Sequence, residues 1–125
     1  MTPSALISVV DDDESVRDSA KTLLRSVGYQ VAIFASGEQF LDSGMLSETE
    51  CLILDIRMPG MSGLELQRRL NLSQSRVPII FVTAHHDKAN RQQAIDGGCS
   101  GFLQKPFPAN DFLGAIEKAL RNRPQ

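Results

Sequence analysis

The sequence has few of the residues that mark disulfide-rich, metal-thiolate or membrane proteins. It contains only two cysteines, Cys51 and Cys99, and each lies in or beside an apolar run without metal-ligand spacing. We therefore expect both to be reduced, buried thiols in a cytoplasmic protein. No apolar run approaches the ~20 residues of a membrane span, and no basic segment marks a signal peptide at the N-terminus.

A surplus of one charge is missing as well. The 125 residues include 13 basic and 15 acidic side chains, which are mixed along the chain and leave a net charge of −2. Without a basic patch, this domain is not expected to bind nucleic acid itself. No Gly-rich phosphate loop follows the first apolar run, which argues against a nucleotide-binding fold.

What the sequence does contain is a regular alternation of short apolar runs and amphipathic segments. Five runs are predicted strands, each followed by a helical segment: 5–10, 30–34, 51–54, 79–82 and 101–103. This alternation indicates a doubly wound α/β fold, with one parallel sheet covered by helices on both faces. The second and fifth runs are half polar and suit the sheet edges, so we predict the flavodoxin-like strand order 2-1-3-4-5.

Capping residues mark the predicted helix boundaries. Asp13, Ser36 and Ser62 are placed to accept hydrogen bonds from the first turns of three helices. Gly28 and Gly44 are placed to end two of them. Polar connections are expected between the elements, including one over 47–50.

The last third of the chain carries two further predictions. The helix expected over 87–96 has only Ala89, Ala94 and Ile95 as apolar contacts, so it should be weakly docked and able to move. We predict that the domain occupies residues 1–120, and that 121–125 begins a linker or a C-terminal tail.

Charged and hydroxyl side chains follow four of the predicted strands. Asp11 and Asp12 follow the first, Asp55 the third, Thr83 the fourth and Lys105 the fifth. Since the carboxyl ends of parallel strands share one edge of the sheet, these side chains should converge on one pocket. Taken alone, Asp55 equally suits a turn or a helix cap. The alternative for Lys105 is a surface cation before a turn, against which Pro106 weighs.

Three converging carboxylates favour a cation between them, because like charges at short range oppose joint ionisation. Oxygen ligands select Mg²⁺ or Mn²⁺ over zinc or copper. We expect Asp12 and Asp55 to bind the metal directly and Asp11 to act through water. The backbone carbonyl of Arg57 is a further candidate ligand.

A metal with open positions, a carboxylate and a lysine together describe a phosphoryl-acceptor site. Asp55 would attack the phosphorus, while Lys105 and Thr83 balance the charge on the phosphoryl oxygens. The rival class is an aspartate-nucleophile phosphatase, which typically needs an acid two residues after the nucleophile, where Arg57 stands here. The complete set also argues against an interaction module with an inactive site.

Four motifs make the sequence closely resemble the receiver domain of two-component response regulators over essentially its whole length. They are Val10-Asp11-Asp12, the segment from Leu54 to Gly63, Val82-Thr83-Ala84 and Lys105-Pro106-Phe107. The first helix and the Gly-Tyr-x-Val segment resemble the FixJ-like subgroup, whose members usually carry a helix-turn-helix output domain after a linker.

The resemblance implies a role for each member of the set. Asp55 is expected to accept the phosphoryl group from a sensor histidine kinase. Asp11 and Asp12 are expected to be the metal acids, and Thr83 and Lys105 to contact the phosphoryl group. Such a protein catalyses its own phosphorylation and slow dephosphorylation and is not a turnover enzyme. Its output would be a phosphorylation-dependent homodimer that acts on DNA through a separate C-terminal helix-turn-helix domain; the alternative is a stand-alone interaction receiver without a DNA-binding output.

The resemblance also implies a switch and a means of tuning it. Phosphorylation should draw Thr83 inward, and Phe102, which equally suits an ordinary core position, should follow. The hydrolysis rate should depend on Arg57 and His85 at the mouth of the site. The alternative for His85 and His86 is a pair of exposed loop histidines, and their adjacency does not suit a zinc site.

Overall fold

The computed structural model describes residues 4–85 and 87–122, and the predicted alternation of strands and helices is confirmed there. The strands are β1 (Leu6–Val10), β2 (Gln30–Phe34), β3 (Cys51–Asp55), β4 (Ile79–Thr83) and β5 (Gly101–Gln104). The helices are α1 (Glu14–Ser26), α2 (Gly37–Ser43), α3 (Gly63–Leu72), α4 (Lys88–Asp96) and α5 (Ala109–Arg121).

The five strands form one parallel sheet in the order β2-β1-β3-β4-β5, which confirms the predicted doubly wound topology. The half-polar strands are the edges, and all five residues of β3 and of β4 are buried. In the register of the sheet, Val10 lies opposite Leu54, and Asp55 lies opposite Val82. The carboxyl ends of the central strands therefore reach the same edge.

Two apolar layers enclose the sheet, because alternate residues of each strand face opposite sides. Leu52, Leu54 and Phe81 pack in one layer with residues of α2, α3 and α4. Ile53 and Ile80 pack in the other layer with residues of α1 and α5. Burying one such side chain is worth about 1.5–3 kcal/mol, so the two layers hold the strand ends in place.

The predicted helix caps are present. The side chains of Asp13, Ser36 and Ser62 accept hydrogen bonds from backbone N–H groups in the first turns of α1, α2 and α3. Gly28 and Gly44 have φ of 100° and 74°, a conformation that glycine adopts at little cost after a helix.

The structure corrects three predictions. The polar loop expected over 47–50 is partly a 3-10 turn, Met45–Glu48. The apolar contacts of α4 were expected to be Ala89, Ala94 and Ile95, yet Ala89 and Ile95 are exposed; Ala94 is the one buried residue of this helix, all of which is described. Both cysteines are free thiols as predicted, but only Cys51 is buried, because Cys99 lies in the loop before the edge strand β5.

At the C-terminal end, α5 continues through Arg121. The predicted boundary between residues 120 and 121 therefore falls inside the last helix. Residues 123–125 of the predicted tail lie outside the described residues, as does His86. Among the helices of 4–85 and 87–122, none is long and apolar enough to cross a membrane.

Candidate functional site

The three predicted acids meet at the carboxyl ends of β1 and β3. Oxygen atoms of Asp11, Asp12 and Asp55 all lie within 4.8 Å of one another. Asp11 and Asp55 are buried, at 1% and 7% exposure, whereas Asp12 is exposed. The sheet order causes this meeting, because β1 and β3 are neighbours although Asp55 lies 44 positions after Asp11 in the sequence.

Asp11 is held by three hydrogen bonds, two to its carboxylate and one to its backbone carbonyl oxygen. Its carboxylate accepts a hydrogen bond from the Asp13 N–H at 2.9 Å and pairs with the Lys105 ammonium at 2.8 Å. The Arg17 guanidinium donates to its backbone carbonyl oxygen at 2.8 Å. The orientation of this acid is therefore set before any ligand arrives.

Lys105 reaches the acids from the end of β5. The backbone N–H of Lys105 donates to the Thr83 carbonyl oxygen at 2.8 Å, which places Lys105 directly after β5. The Lys105–Pro106 peptide bond is cis. The ammonium is mostly buried and bonds to Asp11, so it lies in the pocket and is not a surface cation.

The electrostatics of the pocket act on Asp55. Burial, followed by the negative charge of Asp11, raises the pKa of Asp55 to about 6, and the Lys105 ammonium only partly opposes this rise. Three carboxylates beside one ammonium leave an uncompensated negative charge. Because all the acidic ligands are oxygens, these residues can hold a hard divalent cation.

Thr83 ends β4 beside this pocket. It is 2% exposed, and its side-chain oxygen accepts a hydrogen bond from the His85 N–H at 3.1 Å. The His85 side chain itself is exposed. A movement of the Thr83 hydroxyl would therefore shift the His85 backbone, which leads into α4.

Phe102 lies on β5, opposite Phe81 in the register of the sheet. The two ring centroids are 6.3 Å apart, and the Arg91 guanidinium lies over the outer face of Phe102 at 5.7 Å. Phe102 is only partly buried and lines a groove of about 250 Å³ with residues of the β4–α4 loop and α4. It has room to change its position.

Arg57 lies on the loop after the acceptor strand, with an exposed side chain. Its guanidinium pairs with Asp87 at 3.8 Å, across the gap between this loop and the start of α4. A shallow groove of about 450 Å³ lies beside it, lined by the β3–α3 loop, α3 and Asn90. The predicted metal contact of its carbonyl oxygen remains a prediction.

Three contacting residues were not singled out by sequence reasoning. Arg17 supports the Asp11 carbonyl oxygen, Asp87 pairs with Arg57, and Arg91 covers Phe102. Only Asp87 carried a local signal, since an aspartate directly before a helical segment is a typical N-cap.

A flavodoxin-like sheet with an acidic pocket and a lysine at its carboxyl edge defines a class of signalling domain. The profile of the response regulator receiver domain matches residues 7–117. The chain belongs to this family of two-component proteins, as the four motifs predicted.

Individual relatives agree with this assignment. The chain is 45% identical to the response regulator protein TmoT of Ectopseudomonas mendocina, over 97% of the chain and 55% of the relative. It is 39% identical to the transcriptional regulatory protein FixJ of Bradyrhizobium diazoefficiens, over 97% of the chain and 59% of the relative. The chain thus spans about half the length of the curated relatives that it matches.

Solved structures give the same result. The response regulator StyR superposes with a TM-score of 0.89 at 42% identity, over 96% of this chain and 61% of that one. The structure named FixJ-N also gives 0.89, at 33% identity, over 100% of this chain and 99% of that one. The predicted likeness to FixJ is confirmed.

Proposed function

We propose that this domain is a phosphoryl-accepting switch in which Asp55 receives a phosphoryl group from a sensor histidine kinase. The observation that carries the proposal is the buried Asp55 carboxylate, which shares a pocket with two further acids and the Lys105 ammonium. Asp11, Asp12 and Asp55 would hold Mg²⁺, or Mn²⁺, with the Arg57 carbonyl as a further ligand. The domain would promote its own phosphorylation and slow dephosphorylation without turning over an external substrate.

The transfer is an in-line displacement at phosphorus. One Asp55 oxygen forms a bond to phosphorus while the bond from phosphorus to the kinase histidine nitrogen breaks. The leaving imidazole keeps the electron pair and takes up a proton. A divalent cation held by the three acids would supply charge compensation for the phosphoryl oxygens.

Lys105 and Thr83 would bind the transferred group. The Lys105 ammonium lies in the pocket, where it donates a hydrogen bond to the Asp11 carboxylate. It has further hydrogens to donate to a phosphoryl oxygen. The Thr83 hydroxyl would donate to another. The Thr83 side-chain oxygen accepts the His85 N–H in this structure. A shift of the Thr83 hydroxyl towards the phosphoryl group would therefore alter the loop before α4 and let Phe102 move inward.

The output is proposed from the relatives. TmoT and FixJ are named as a response regulator and a transcriptional regulator, and the matched segment makes up 55% and 59% of their lengths. We propose that phosphorylation makes this domain a homodimer in the cytoplasm, and that DNA is bound by a separate helix-turn-helix domain. The net charge of −2 agrees with a receiver that does not touch DNA itself.

Intact mass after incubation with acetyl phosphate tests this function. With Mg²⁺ we expect a labile gain of one phosphoryl group, which EDTA and Asp55→Asn each abolish. Asp42→Asn, on the exposed surface of α2, is the matched control and should label like the unmodified protein. An adduct that persists in Asp55→Asn, or that forms equally in EDTA, would overturn the proposal.

A further inference from the structure

One carboxylate links the acceptor loop to the start of α4. One oxygen of Asp87 accepts the N–H groups of Ala89 at 2.9 Å and Asn90 at 3.2 Å, which caps α4. The other oxygen lies 3.8 Å from the guanidinium of Arg57, two residues after Asp55. Asp87 therefore pairs with Arg57, the cation closest in sequence to the acceptor.

We propose that Asp87 is a positioning residue that holds the Arg57 guanidinium away from the acceptor and thereby sets the lifetime of the phosphoryl group. This inference rests on the proposed function of Asp55. It concerns the rate at which the phosphoryl group is lost, whereas the proposed function concerns whether the group is accepted at all.

Asp87 and a phosphoryl group on Asp55 should compete for the Arg57 guanidinium. The Arg57–Asp87 pair is exposed, with side chains 55% and 37% accessible, and such pairs are weak and screened by salt. A phosphoryl group on Asp55 brings about −1.5 to −2 charges two residues away. Guanidinium groups bind phosphoryl oxygens with two parallel hydrogen bonds. Phosphorylation should therefore draw Arg57 from Asp87 towards the acceptor.

The position of the pair connects this competition to hydrolysis. Arg57 lines the groove on the α3 side, and Asp87 lines the groove that contains Phe102. In hydrolysis a water oxygen forms a bond to phosphorus, the bond from phosphorus to Asp55 breaks, and the Asp55 carboxylate keeps the electron pair. The protons of the water leave with inorganic phosphate or pass to solvent. A guanidinium over the phosphoryl group obstructs that approach.

Asp87→Asn separates the two functions of the side chain. Asparagine keeps an oxygen that can cap α4 but removes the charge that attracts Arg57. The adduct of this variant should decay about twofold to fivefold more slowly, the range that corresponds to one exposed ion pair. Asp87→Glu, which keeps the charge, should decay close to the unmodified rate.

A matched control is available on α3. Arg69 and Glu65 form a second exposed pair at 3.3 Å, with accessibilities of 56% and 38%. This pair is about as exposed as the Arg57–Asp87 pair but has no proposed role at the acceptor. Glu65→Gln should leave the decay rate unchanged. Arg57→Ala should shorten the lifetime, and adding Asp87→Asn to Arg57→Ala should then have no further effect.

Two results would overturn the inference. One is a decay rate in Asp87→Asn equal to that of Glu65→Gln, and the other is a slower decay that persists in the Arg57→Ala background. Both are read from proteins that have formed the adduct. A failure of the proposed function would instead appear as the absence of any Asp55-dependent adduct.

Discussion

Asp55 is a source of instability in the metal-free protein. Its pKa is raised to about 6 by burial and by Asp11, whereas an aspartate in an unfolded chain titrates near ~3.9. Below the unfolded value the carboxyl is protonated in both states and has no effect on stability. As the pH rises through the interval between the two values, the unfolded chain loses its proton while the folded state still holds it, so stability falls.

Replacing Asp55 with asparagine should remove this cost. We expect Asp55→Asn to raise the free energy of unfolding in EDTA by about 1–2 kcal/mol near pH 7.5, after allowance for solvent screening at the pocket mouth. The gain should vanish near about pH 4. Urea unfolding at both pH values measures it, with Asp42→Asn as control. A loss of stability at the higher pH would contradict the prediction.

The start of α3 is packed against the acceptor strand. The Gly63 N–H donates to the Ile56 carbonyl oxygen at 2.8 Å, and a Cβ atom at Gly63 would lie 2.1 Å from the Asp55 carbonyl oxygen. Backbone cannot move aside as a flexible side chain can. Glycine is therefore required here by close approach, and its φ is not the reason.

A pair of alanine substitutions tests this packing. Gly63→Ala should lower the free energy of unfolding by about 2–4 kcal/mol and displace the acceptor, so that phosphorylation slows as well. Gly114→Ala on α5, where the added Cβ meets open space, should stabilise the protein by about 0.5–1 kcal/mol. Denaturant unfolding compares the two, and equal effects would refute the explanation.

Helix α4 shows what a sequence pattern can and cannot predict about an element. Its sparse apolar residues correctly indicated a small buried face, and Ala94 alone is buried in this fully described helix. The pattern did not predict the contacts that hold its C-terminal end. Those are amide hydrogen bonds from α3, made by Gln67 to the Ala94 carbonyl oxygen and by Asn71 to that of Gly97. Such bonds between distant segments leave no local periodicity.

The same distinction applies to the candidate site. Strand ends were predictable because several apolar runs each end in a charged residue, and a parallel sheet places such ends at one edge, which brought Asp11 and Asp55 together. The partner of each cation was not predictable. Lys105 pairs with an acid 94 residues away, and Arg57 pairs with a cap of α4. These choices depend on side-chain conformations that the sheet order leaves open.

On the scale of the whole molecule, the packing of the two apolar layers opposes the mutual repulsion of the three acids in the pocket. They bury the strands and fix the ends of β1 and β3 at one edge of the sheet, where three carboxylates lie close together. A cation bound among these acids would relieve their mutual repulsion. A ligand that binds only the folded state stabilises it by mass action.

Magnesium should therefore stabilise the entire domain. At a concentration about 100-fold above its dissociation constant, Mg²⁺ should add about 2.7 kcal/mol and raise the Tm by several degrees relative to EDTA. An equal ionic strength of KCl is the control for screening. Asp12→Asn, which removes an exposed acid of the cluster and leaves the core intact, should lose most of this gain. Equal melting in Mg²⁺ and EDTA would mean that the acids do not share a divalent ion, because a site present only in the folded protein must raise the Tm when it is filled.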